Sequence, residues 1–238
     1  MNGQKTVFAT EDTPLNLLAI NGSDKKFPVR RVYCVGRNYA EHAKEMGVDP
    51  KASPPIFFMK PGDCVVLASA DNPCDIPYPP KTNNLHHEIE LVIAIKEGGK
   101  NLSTADAKNV IFGYGVGVDL TRRDLQADAK KKGQPWELAK AFDQSAPMSP
   151  LYEMNGVLDQ GRIWLSVDGS MRQEGDIKEM IWGVAEIVSI LSQYYQLKSG
   201  DLIFTGTPEG VGPLNIGEHV EGGVDGVGGV AFKISSPD

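Results

Sequence analysis

The segment His86-His87-Glu88-Ile89-Glu90 contains two glutamates that lie two positions apart. Side chains alternate along an extended strand, so Glu88 and Glu90 would lie on the same face. The residues that follow, 91–95, are all apolar and indicate a buried strand. Two carboxylates at the start of a buried strand repel each other and are costly to desolvate. A cation bound between them would remove both penalties.

A third carboxylate, Asp119, ends the next apolar segment, residues 114–118. If the two strands pair, Glu88, Glu90 and Asp119 converge. A site made only of oxygen ligands favours Mg²⁺, Mn²⁺ or Ca²⁺ over zinc or copper. The alternative is that the two glutamates form the exposed face of an edge strand. His86 and His87 are predicted to be structural or to support the ligands, because neighbours on a strand face opposite ways.

His42 and Glu45 are the candidate acid–base pair, three positions apart in a predicted helix, residues 37–46. This spacing places both side chains on one helical face. A carboxylate that holds one imidazole nitrogen leaves the other nitrogen free to take a proton from water. The alternative is an ordinary pair on a helix surface.

Lys140 follows Trp136 and Leu138, and a lysine in partly apolar surroundings can stabilise an oxyanion. Arg123 and Gln126, one helical turn apart just after Asp119, could hold a carboxylate or carbonyl of a substrate. Thr207 lies in a Gly-Thr-Pro turn, where its hydroxyl could bind a carboxylate. The alternatives are a surface lysine and a threonine that only caps the turn.

The composition excludes several classes of protein. The 238 residues are 41% hydrophobic and 23% charged, with a formal net charge of −7, which argues against a nucleic-acid partner. The basic run at 130–132 is predicted to be a solvated helix end. No apolar stretch approaches the roughly 18 residues of a membrane span. Three cysteines without a CxxC pattern indicate a reducing compartment, so the predicted location is cytoplasmic.

The periodicity predicts many short strands and a few helices in one unit, residues 29–238, after a loosely patterned lead-in, residues 1–28. The predicted strands span 29–35, 56–59, 88–95, 112–120, 162–167, 171–173, 201–204 and 230–234. The predicted helices span 37–46, 104–110, 124–132 and 179–195. The long helix at 179–195 has the clearest apolar face, which begins at Met180 and Ile181. Asn38 is a candidate N-cap for the first helix.

The chain resembles the fumarylacetoacetate hydrolase superfamily, in particular its short acylpyruvase and fumarylpyruvate hydrolase branch. The segments that carry this resemblance are VGRNYAEH (35–42), HHEIEL (86–91), DLTRRDLQ (119–126), KKGQPW (131–136) with Lys140, RQEG (172–175) and TGTPEGVG (205–212). The resemblance covers about residues 29–234. It implies an α+β, mainly β fold, a mixed β-roll, in a homodimer.

The resemblance also implies the site and its chemistry. Glu88, Glu90 and Asp119 would bind Mg²⁺ or Mn²⁺, and His42 with Glu45 would lie on a mobile lid. The implied reaction is hydrolysis of the C–C bond of an acylpyruvate, such as fumarylpyruvate, to pyruvate and a carboxylic acid. The partner would be a small oxo-acid. The alternatives are an oxaloacetate decarboxylase or a 2-oxo-acid tautomerase or isomerase at the same site, and a non-catalytic calcium-binding module.

Overall fold

Strands are the main regular secondary structure in the computed structural model, which describes residues 16–39, 51 and 53–237. The strands are β1 (Leu17–Ala19), β2 (Lys26–Pro28), β3 (Arg31–Gly36), β4 (Ile56–Pro61), β5 (Val65–Leu67), β6 (Cys74–Pro77), β7 (Leu85–His87), β8 (Ile89–Ile95), β9 (Ile111–Val118), β10 (Thr121–Arg122), β11 (Ala146–Met148), β12 (Tyr152–Glu153), β13 (Arg162–Val167), β14 (Ser170–Asp176), β15 (Leu202–Phe204), β16 (Gly212–Leu214), β17 (His219–Val224) and β18 (Gly228–Ser235). The helices are α1 (Thr104–Val110), α2 (Arg123–Lys132), α3 (Glu137–Lys140) and α4 (Val184–Tyr194), with 3-10 turns at Gly62–Cys64 and Ile177–Glu179. The predicted α+β, mainly β fold is confirmed.

The central sheet has eight strands in the order β4-β3-β15-β8-β9-β11-β5, and β12 pairs with β9. It is mixed, because β15 runs parallel to β3 but antiparallel to β8. A second sheet has the order β14-β13-β17-β18-β6, and a small third sheet has the order β10-β7-β16. The mixed pairing and the short strands agree with the mixed β-roll that the family resemblance implied.

The strand β8 lies at the centre of the core, with both of its faces buried. Ile89, Leu91 and Ile93 belong to a large hydrophobic cluster shared with the second sheet. Val92 and Ala94 belong to a smaller cluster on the other face. A strand that is covered on both faces needs a continuous apolar run, which is what residues 91–95 provide.

The described part of the lead-in, residues 16–28, packs onto this smaller cluster. Strands β1 and β2 form an antiparallel hairpin, and Gly22 in its turn has a φ of 71°. Leu18 and Phe27 are buried in the same cluster as Val92 and Phe204. The division into a lead-in and a catalytic domain stays a prediction.

The strand predicted over 88–95 begins one residue later, at Ile89, so Glu88 lies between β7 and β8. One predicted element was wrong in its bounds. The helix predicted over 179–195 begins at Val184, so Met180 and Ile181 precede it. Ile181 instead donates its backbone N–H to the carbonyl oxygen of Asn38 (2.8 Å), and this tertiary contact outweighs the helical periodicity.

The other elements follow the predicted pattern to within a few residues. The helix predicted over 37–46 lies largely outside the described residues. No helix in the described part of the chain is both long and apolar enough to cross a membrane.

Candidate metal and catalytic site

Three carboxylates meet where β8 begins and β9 ends. The two strands pair antiparallel with Ile89 opposite Val118, so Glu88 and Asp119 come together at one edge. The backbone N–H of Asp119 donates to the carbonyl oxygen of Glu88 (2.8 Å). One carboxylate oxygen each of Glu88, Glu90 and Asp119 lies within 4.8 Å of the other two. The residues predicted as metal ligands are therefore neighbours, and their binding of metal stays a prediction.

Burial makes this cluster electrostatically strained. Glu90 and Asp119 are almost wholly buried. The pKa of Glu90 lies well above its ordinary value because burial disfavours its charged form and because Asp119 and Glu88 repel a further negative charge. A divalent cation would relieve this repulsion.

Lys140 reaches into the cluster from α3. Its Nζ lies 2.8 Å from Oε2 of Glu88, 2.6 Å from Oδ2 of Asp119 and 2.7 Å from Oγ1 of Thr121. Burial lowers the pKa of Lys140, but the two carboxylates outweigh burial and raise it above its ordinary value. Its surroundings are partly apolar, as expected, because Nζ lies 5.1 Å from the centre of the Phe58 ring, but they also include two carboxylates that the sequence did not place there. Lys140 therefore carries a fixed positive charge at the site.

Lys60, which the sequence analysis missed, is a second buried lysine at the same place. Its Nζ lies 2.9 Å from Oδ1 of Asp119, and it donates to Oγ of Ser145 (3.0 Å) and to the carbonyl oxygens of Leu120 (3.3 Å) and Lys140. The contact with Asp119 has the distance of an ion pair but not the geometry of a hydrogen bond, so Oδ1 has no hydrogen-bond partner. The only sequence signal was a lysine that ends an apolar run.

These observations fit a hard divalent cation. The donor set consists of carboxylate oxygens, which Mg²⁺ and Mn²⁺ prefer. Asp119 keeps a buried oxygen without a hydrogen bond, and Glu90 keeps a carboxyl group whose ionisation the other two carboxylates oppose. Both groups would gain from a bound cation.

Arg123 and Gln126 lie together at the start of α2, as their spacing predicted. Nη1 of Arg123 donates to Oε1 of Gln126 (2.5 Å), and Nη2 pairs with Oε1 of Glu88. Burial raises the pKa of Glu88, but Lys140 and Arg123 outweigh burial and lower it to about 2. Glu88 is therefore ionised. Arg123 bridges Glu88 and Gln126, the other predicted substrate-binding residue of this helix.

The loop that contains Thr207 is hydrogen-bonded to the side chain of Glu90. The backbone N–H of Gly206 donates to Oε2 of Glu90 (2.6 Å). Gly206 has a φ of 97°, and a Cβ there would lie 2.7 Å from Cβ of Asn38, so this position requires glycine. Asn38 donates to the carbonyl oxygen of Thr205 (2.7 Å) and accepts from the backbone N–H of Trp182 (2.8 Å). Its side chain thus holds the loop, a role that its prediction as an N-cap did not foresee.

Two adjoining cavities open at the cluster. The smaller, about 170 Å³, is lined by Glu88, Glu90, Arg123, Gln126, Lys140 and Thr207, together with residues of β3, β4 and α2. The larger, about 1120 Å³, shares four residues with the smaller: Arg37, Glu88, Arg123 and Thr207. A ligand can therefore place one part beside the carboxylates and a longer part in the larger cavity.

Two further cations at these cavities were missed. Arg37, with a φ of 59°, lines both cavities. Lys130 lines the smaller one and lies over the ring of Trp136 at 5.1 Å. Burial and the charges of Arg37 and Arg123 lower the pKa of Lys130. All three lysines at 130–132 are exposed in the last turn of α2, as predicted, but no sequence pattern indicated that Lys130 also lines the small cavity.

The histidines divide into two groups. Nε2 of His86 lies 2.9 Å from Oδ1 of Asn84, and Nδ1 of His87 lies 2.8 Å from Oε1 of Gln173. Neither histidine belongs to the cluster of candidate ligands found among the described residues. His42 and Glu45 lie outside the described residues, so their predicted pairing stays a prediction.

Comparison with known proteins identifies the family. Residues 31–235 match the family model of the fumarylacetoacetate (FAA) hydrolase C-terminal domain. The chain belongs to this family. The predicted resemblance to the superfamily is thereby confirmed, and the fumarylpyruvate hydrolase branch is supported by the structural neighbours described next.

The similar proteins have two different activities. A crystal structure of fumarylpyruvate hydrolase from Pseudomonas aeruginosa, in complex with Mn²⁺ and pyruvate, is 50% identical, with a TM-score of 0.91 and coverage of 98% of this chain and 100% of that chain. The mitochondrial oxaloacetate tautomerase of Mus musculus is 41% identical over 207 residues, 86% of this chain and 91% of that protein. The oxaloacetate tautomerase YcgM of Escherichia coli K12 is 41% identical over 203 residues, 84% of this chain and 90% of that protein.

Proposed function

We propose that this protein is a divalent-metal-dependent hydrolase that cleaves the C–C bond of an acylpyruvate, such as fumarylpyruvate, into pyruvate and a carboxylic acid. The observation that carries this proposal is the cluster of three carboxylates, two of which, Glu88 and Glu90, line a small cavity that adjoins a much larger one. The small cavity suits a pyruvoyl group, and the larger one gives room for an acyl group. The similarity to a fumarylpyruvate hydrolase over nearly the whole chain supports the same substrate class.

Glu88, Glu90 and Asp119 would hold Mg²⁺ or Mn²⁺. When bound, such an ion supplies Lewis-acid polarisation of the carbonyl and carboxylate oxygens of an oxo-acid. The fumarylpyruvate hydrolase of Pseudomonas aeruginosa was solved with Mn²⁺, which supports Mn²⁺ as one ion that this carboxylate set accepts.

The side chains around the carboxylates would bind and orient an anionic substrate. Lys140 keeps its charge and would stabilise negative charge that develops on a substrate oxygen, with Gln126 as a second donor. Arg123 would pair with a substrate carboxylate, for which a guanidinium fork is well suited. Thr207 would donate its hydroxyl proton to the carboxylate of the pyruvoyl group. With Arg37 and Lys130 added, the site keeps an excess of positive charge once a divalent ion is bound.

His42, oriented by Glu45, would take a proton from water so that the resulting hydroxide attacks the distal carbonyl carbon. The C–C bond then breaks, its electron pair stays with the pyruvate fragment, and that fragment takes up a proton. The acyl fragment leaves as a carboxylic acid. This assignment rests on the spacing of the two residues and on the family resemblance.

The second candidate is tautomerisation of oxaloacetate, which the activity named for the curated relatives favours. It uses the same carboxylates and cations but needs only proton transfer and gives no cleavage products. Decarboxylation of oxaloacetate is a third outcome at the same site, and it needs no water as a reactant.

A substrate panel separates these activities. The metal-loaded protein is mixed with fumarylpyruvate, acetylpyruvate and the enol form of oxaloacetate, and the loss of enol absorbance is followed while the products are identified by mass spectrometry. We expect pyruvate and fumarate from fumarylpyruvate. Oxaloacetate that converts between its enol and keto forms, with no cleavage of either acylpyruvate, would overturn the proposal in favour of tautomerisation.

The His42→Ala variant tests the proposed base. Hydrolysis should fall by about 10²- to 10⁴-fold, as is typical when a general base is lost, while Mn²⁺ affinity stays near that of the wild type. His219→Ala, which replaces an exposed histidine of β17, is the matched control and should retain full activity. Unchanged turnover of His42→Ala would remove this residue from the mechanism.

The homodimer and the cytoplasmic location stay predictions, and several relatives are named as mitochondrial.

A further inference from the structure

The side-chain amide of Gln173 joins the segment that carries the carboxylates to the loop that carries Thr207. Gln173 lies on β14 and is 1% exposed. Its Oε1 accepts from the backbone N–H of Ile89 (3.1 Å) and lies 2.8 Å from Nδ1 of His87. Its Nε2 donates to Oγ1 of Thr207 (2.8 Å) and to the carbonyl oxygen of Pro208 (2.9 Å). Both acceptor and both donor positions of the amide are therefore in use.

The orientation of this amide is fixed by two backbone groups. The N–H of Ile89 can only donate, so it requires the oxygen of Gln173. The carbonyl of Pro208 can only accept, so it requires the nitrogen. The two ends of the amide cannot be exchanged without leaving two buried backbone groups without partners, which is unfavourable.

This fixed orientation determines the hydrogen-bonding roles of both neighbouring side chains. Nδ1 of His87 must carry a proton, because it faces an oxygen that only accepts. Oγ1 of Thr207 must accept, because it faces an N–H of Gln173. A hydroxyl that accepts one hydrogen bond still has its own proton to donate.

The remaining proton of Thr207 is available to a ligand. Within 16–39 and 53–237, the hydroxyl of Thr207 donates to no other group. Thr207 lines the small cavity together with Glu88, Glu90 and Lys140. Its proton is therefore directed away from Gln173, and Thr207 lines both the small and the larger cavity.

We propose that Gln173 is a positioning residue, which forces the hydroxyl of Thr207 to donate its proton to the carboxylate of an oxo-acid bound beside Glu88 and Glu90. The inference rests on the proposed function only in taking an oxo-acid as the ligand. Ile89 lies between the two glutamates, so the same amide also fixes the distance between the ligand segment and the Thr207 loop.

The Gln173→Glu variant tests this role with almost no change in size. The new carboxylate keeps an acceptor for Ile89 but has no N–H, so the hydroxyl of Thr207 must turn its proton away from the ligand. The probes are Mn²⁺ alone and pyruvate added to the Mn²⁺-loaded protein, both measured by titration calorimetry. Met171→Leu, at an exposed position of the same strand, is the matched control.

We expect Gln173→Glu to bind Mn²⁺ no more weakly than the wild type but pyruvate about tenfold or more weakly, which corresponds to one lost hydrogen bond to a charged group. Thr207→Val should show the same loss, and Thr207→Ser, which keeps the hydroxyl, should bind pyruvate like the wild type. The double variant of Gln173→Glu and Thr207→Val should be no weaker than either single variant, because both remove one shared hydrogen bond.

Equal pyruvate affinity of Gln173→Glu and the wild type would overturn the inference, as would losses that multiply in the double variant. Neutron diffraction from wild-type crystals gives an answer even if Gln173→Glu does not fold. A deuteron on Oγ1 of Thr207 that points into the small cavity supports the inference, and one that points at Gln173 overturns it.

The proposed function can fail separately. Wild-type protein that binds Mn²⁺ and pyruvate but cleaves no acylpyruvate would refute hydrolysis and leave the role of Gln173 standing. Wild-type protein that cleaves acylpyruvates, with variants that bind pyruvate equally well, would refute only the role of Gln173.

Discussion

The two ends of strand β15 carry buried carboxylates whose charges are paired to very different degrees. Asp201 precedes the strand, and the loop with Gly206 and Thr207 follows it. The neighbouring strands β3 and β8 reach both ends as well, because they pair with β15 along its whole length. The two clusters therefore share one scaffold.

At the first end, Asp201 is fully paired. Its Oδ1 accepts from Arg30 (3.0 Å) and Arg31 (3.0 Å), and its Oδ2 accepts from Arg31 (2.7 Å) and from the backbone N–H of Lys198 (2.8 Å). One carboxylate thus meets two arginines, and both of its oxygens are hydrogen-bonded. Such a cluster holds chain segments together and has no need of a further ion.

At the other end, two buried lysines and Arg123 form ion pairs with Glu88 and Asp119, and none of them pairs with Glu90 among the described residues. Asp119 keeps an oxygen without a hydrogen bond, and the pKa of Glu90 is raised by burial and by its two acidic neighbours. The same strands thus support one carboxylate whose two oxygens are both hydrogen-bonded and a second cluster in which, among the described residues, Glu90 forms no ion pair and Asp119 keeps an oxygen without a hydrogen bond. This difference supports the proposal that the second cluster binds a cation.

Substitution of aspartate by asparagine should lower activity at one end of the strand and stability at the other. Asp119→Asn removes a proposed ligand and should lower kcat/KM by roughly 10³-fold, because a bound metal would contribute several kcal/mol to transition-state stabilisation. Steady-state kinetics with saturating Mn²⁺ measure this loss. Activity within tenfold of the wild type would show that Asp119 is not needed to hold the ion.

Asp201→Asn should lower the stability of the protein without changing metal binding at the three carboxylates. It leaves two arginines facing a neutral group, and breaking a buried ion pair in this way lowers the free energy of unfolding by about 3 kcal/mol. Urea unfolding measures the change, and Mn²⁺ affinity should equal that of the wild type. If Mn²⁺ affinity fell and stability did not, the distinction between the two ends would be wrong.

Glycines flank the strand at both ends and offer a third comparison. Gly200 and Gly206 have φ values of 91° and 97°, and a Cβ would lie 2.5 Å from the carbonyl oxygen of Pro28 or 2.7 Å from Cβ of Asn38. Each substitution to alanine should therefore lower the free energy of unfolding by about 1–3 kcal/mol. Only Gly206→Ala should also weaken Mn²⁺ binding, because its N–H donates to Glu90. Equal Mn²⁺ affinity of both variants would contradict this role of the loop.

The smallest expected effect concerns pH. The pKa of Glu90 is raised above its ordinary value of 4.5, so its contribution to the stability of the metal-free protein is complete below about 4.5 and is lost as the pH rises through the raised pKa. Metal binding must displace this proton, and Mn²⁺ affinity should rise with pH by up to about tenfold per unit. Calorimetry in two buffers of different ionisation enthalpy counts the released protons. Affinity that does not change with pH would mean that Glu90 is already ionised.

The sequence was most informative where chemistry depends on short spacing. The pair Glu88 and Glu90 precedes an apolar run, and Arg123 and Gln126 are one helical turn apart, so local periodicity sufficed to group each pair. The prediction of many short strands and a few helices followed from the many short apolar segments and the turn residues between them. The mixed β-roll, by contrast, came from the family resemblance.

The missed features depend on contacts between distant segments. Lys60 contacts Asp119 and Gln173 contacts Ile89, although dozens of residues separate the members of each pair in sequence. Local sequence patterns cannot predict such contacts. The early start predicted for the helix α4 has the same origin, because Asn38 binds the backbone of Ile181 and Trp182 before the helix begins.

The central claim is that Glu88, Glu90 and Asp119 together bind one divalent ion. A crystal structure of the protein grown with Mn²⁺, with anomalous data collected near the manganese absorption edge, tests it most directly. We expect a single strong anomalous peak in contact with a carboxylate oxygen of each of the three residues. A peak elsewhere, or no peak at this position in crystals saturated with Mn²⁺, would contradict the claim.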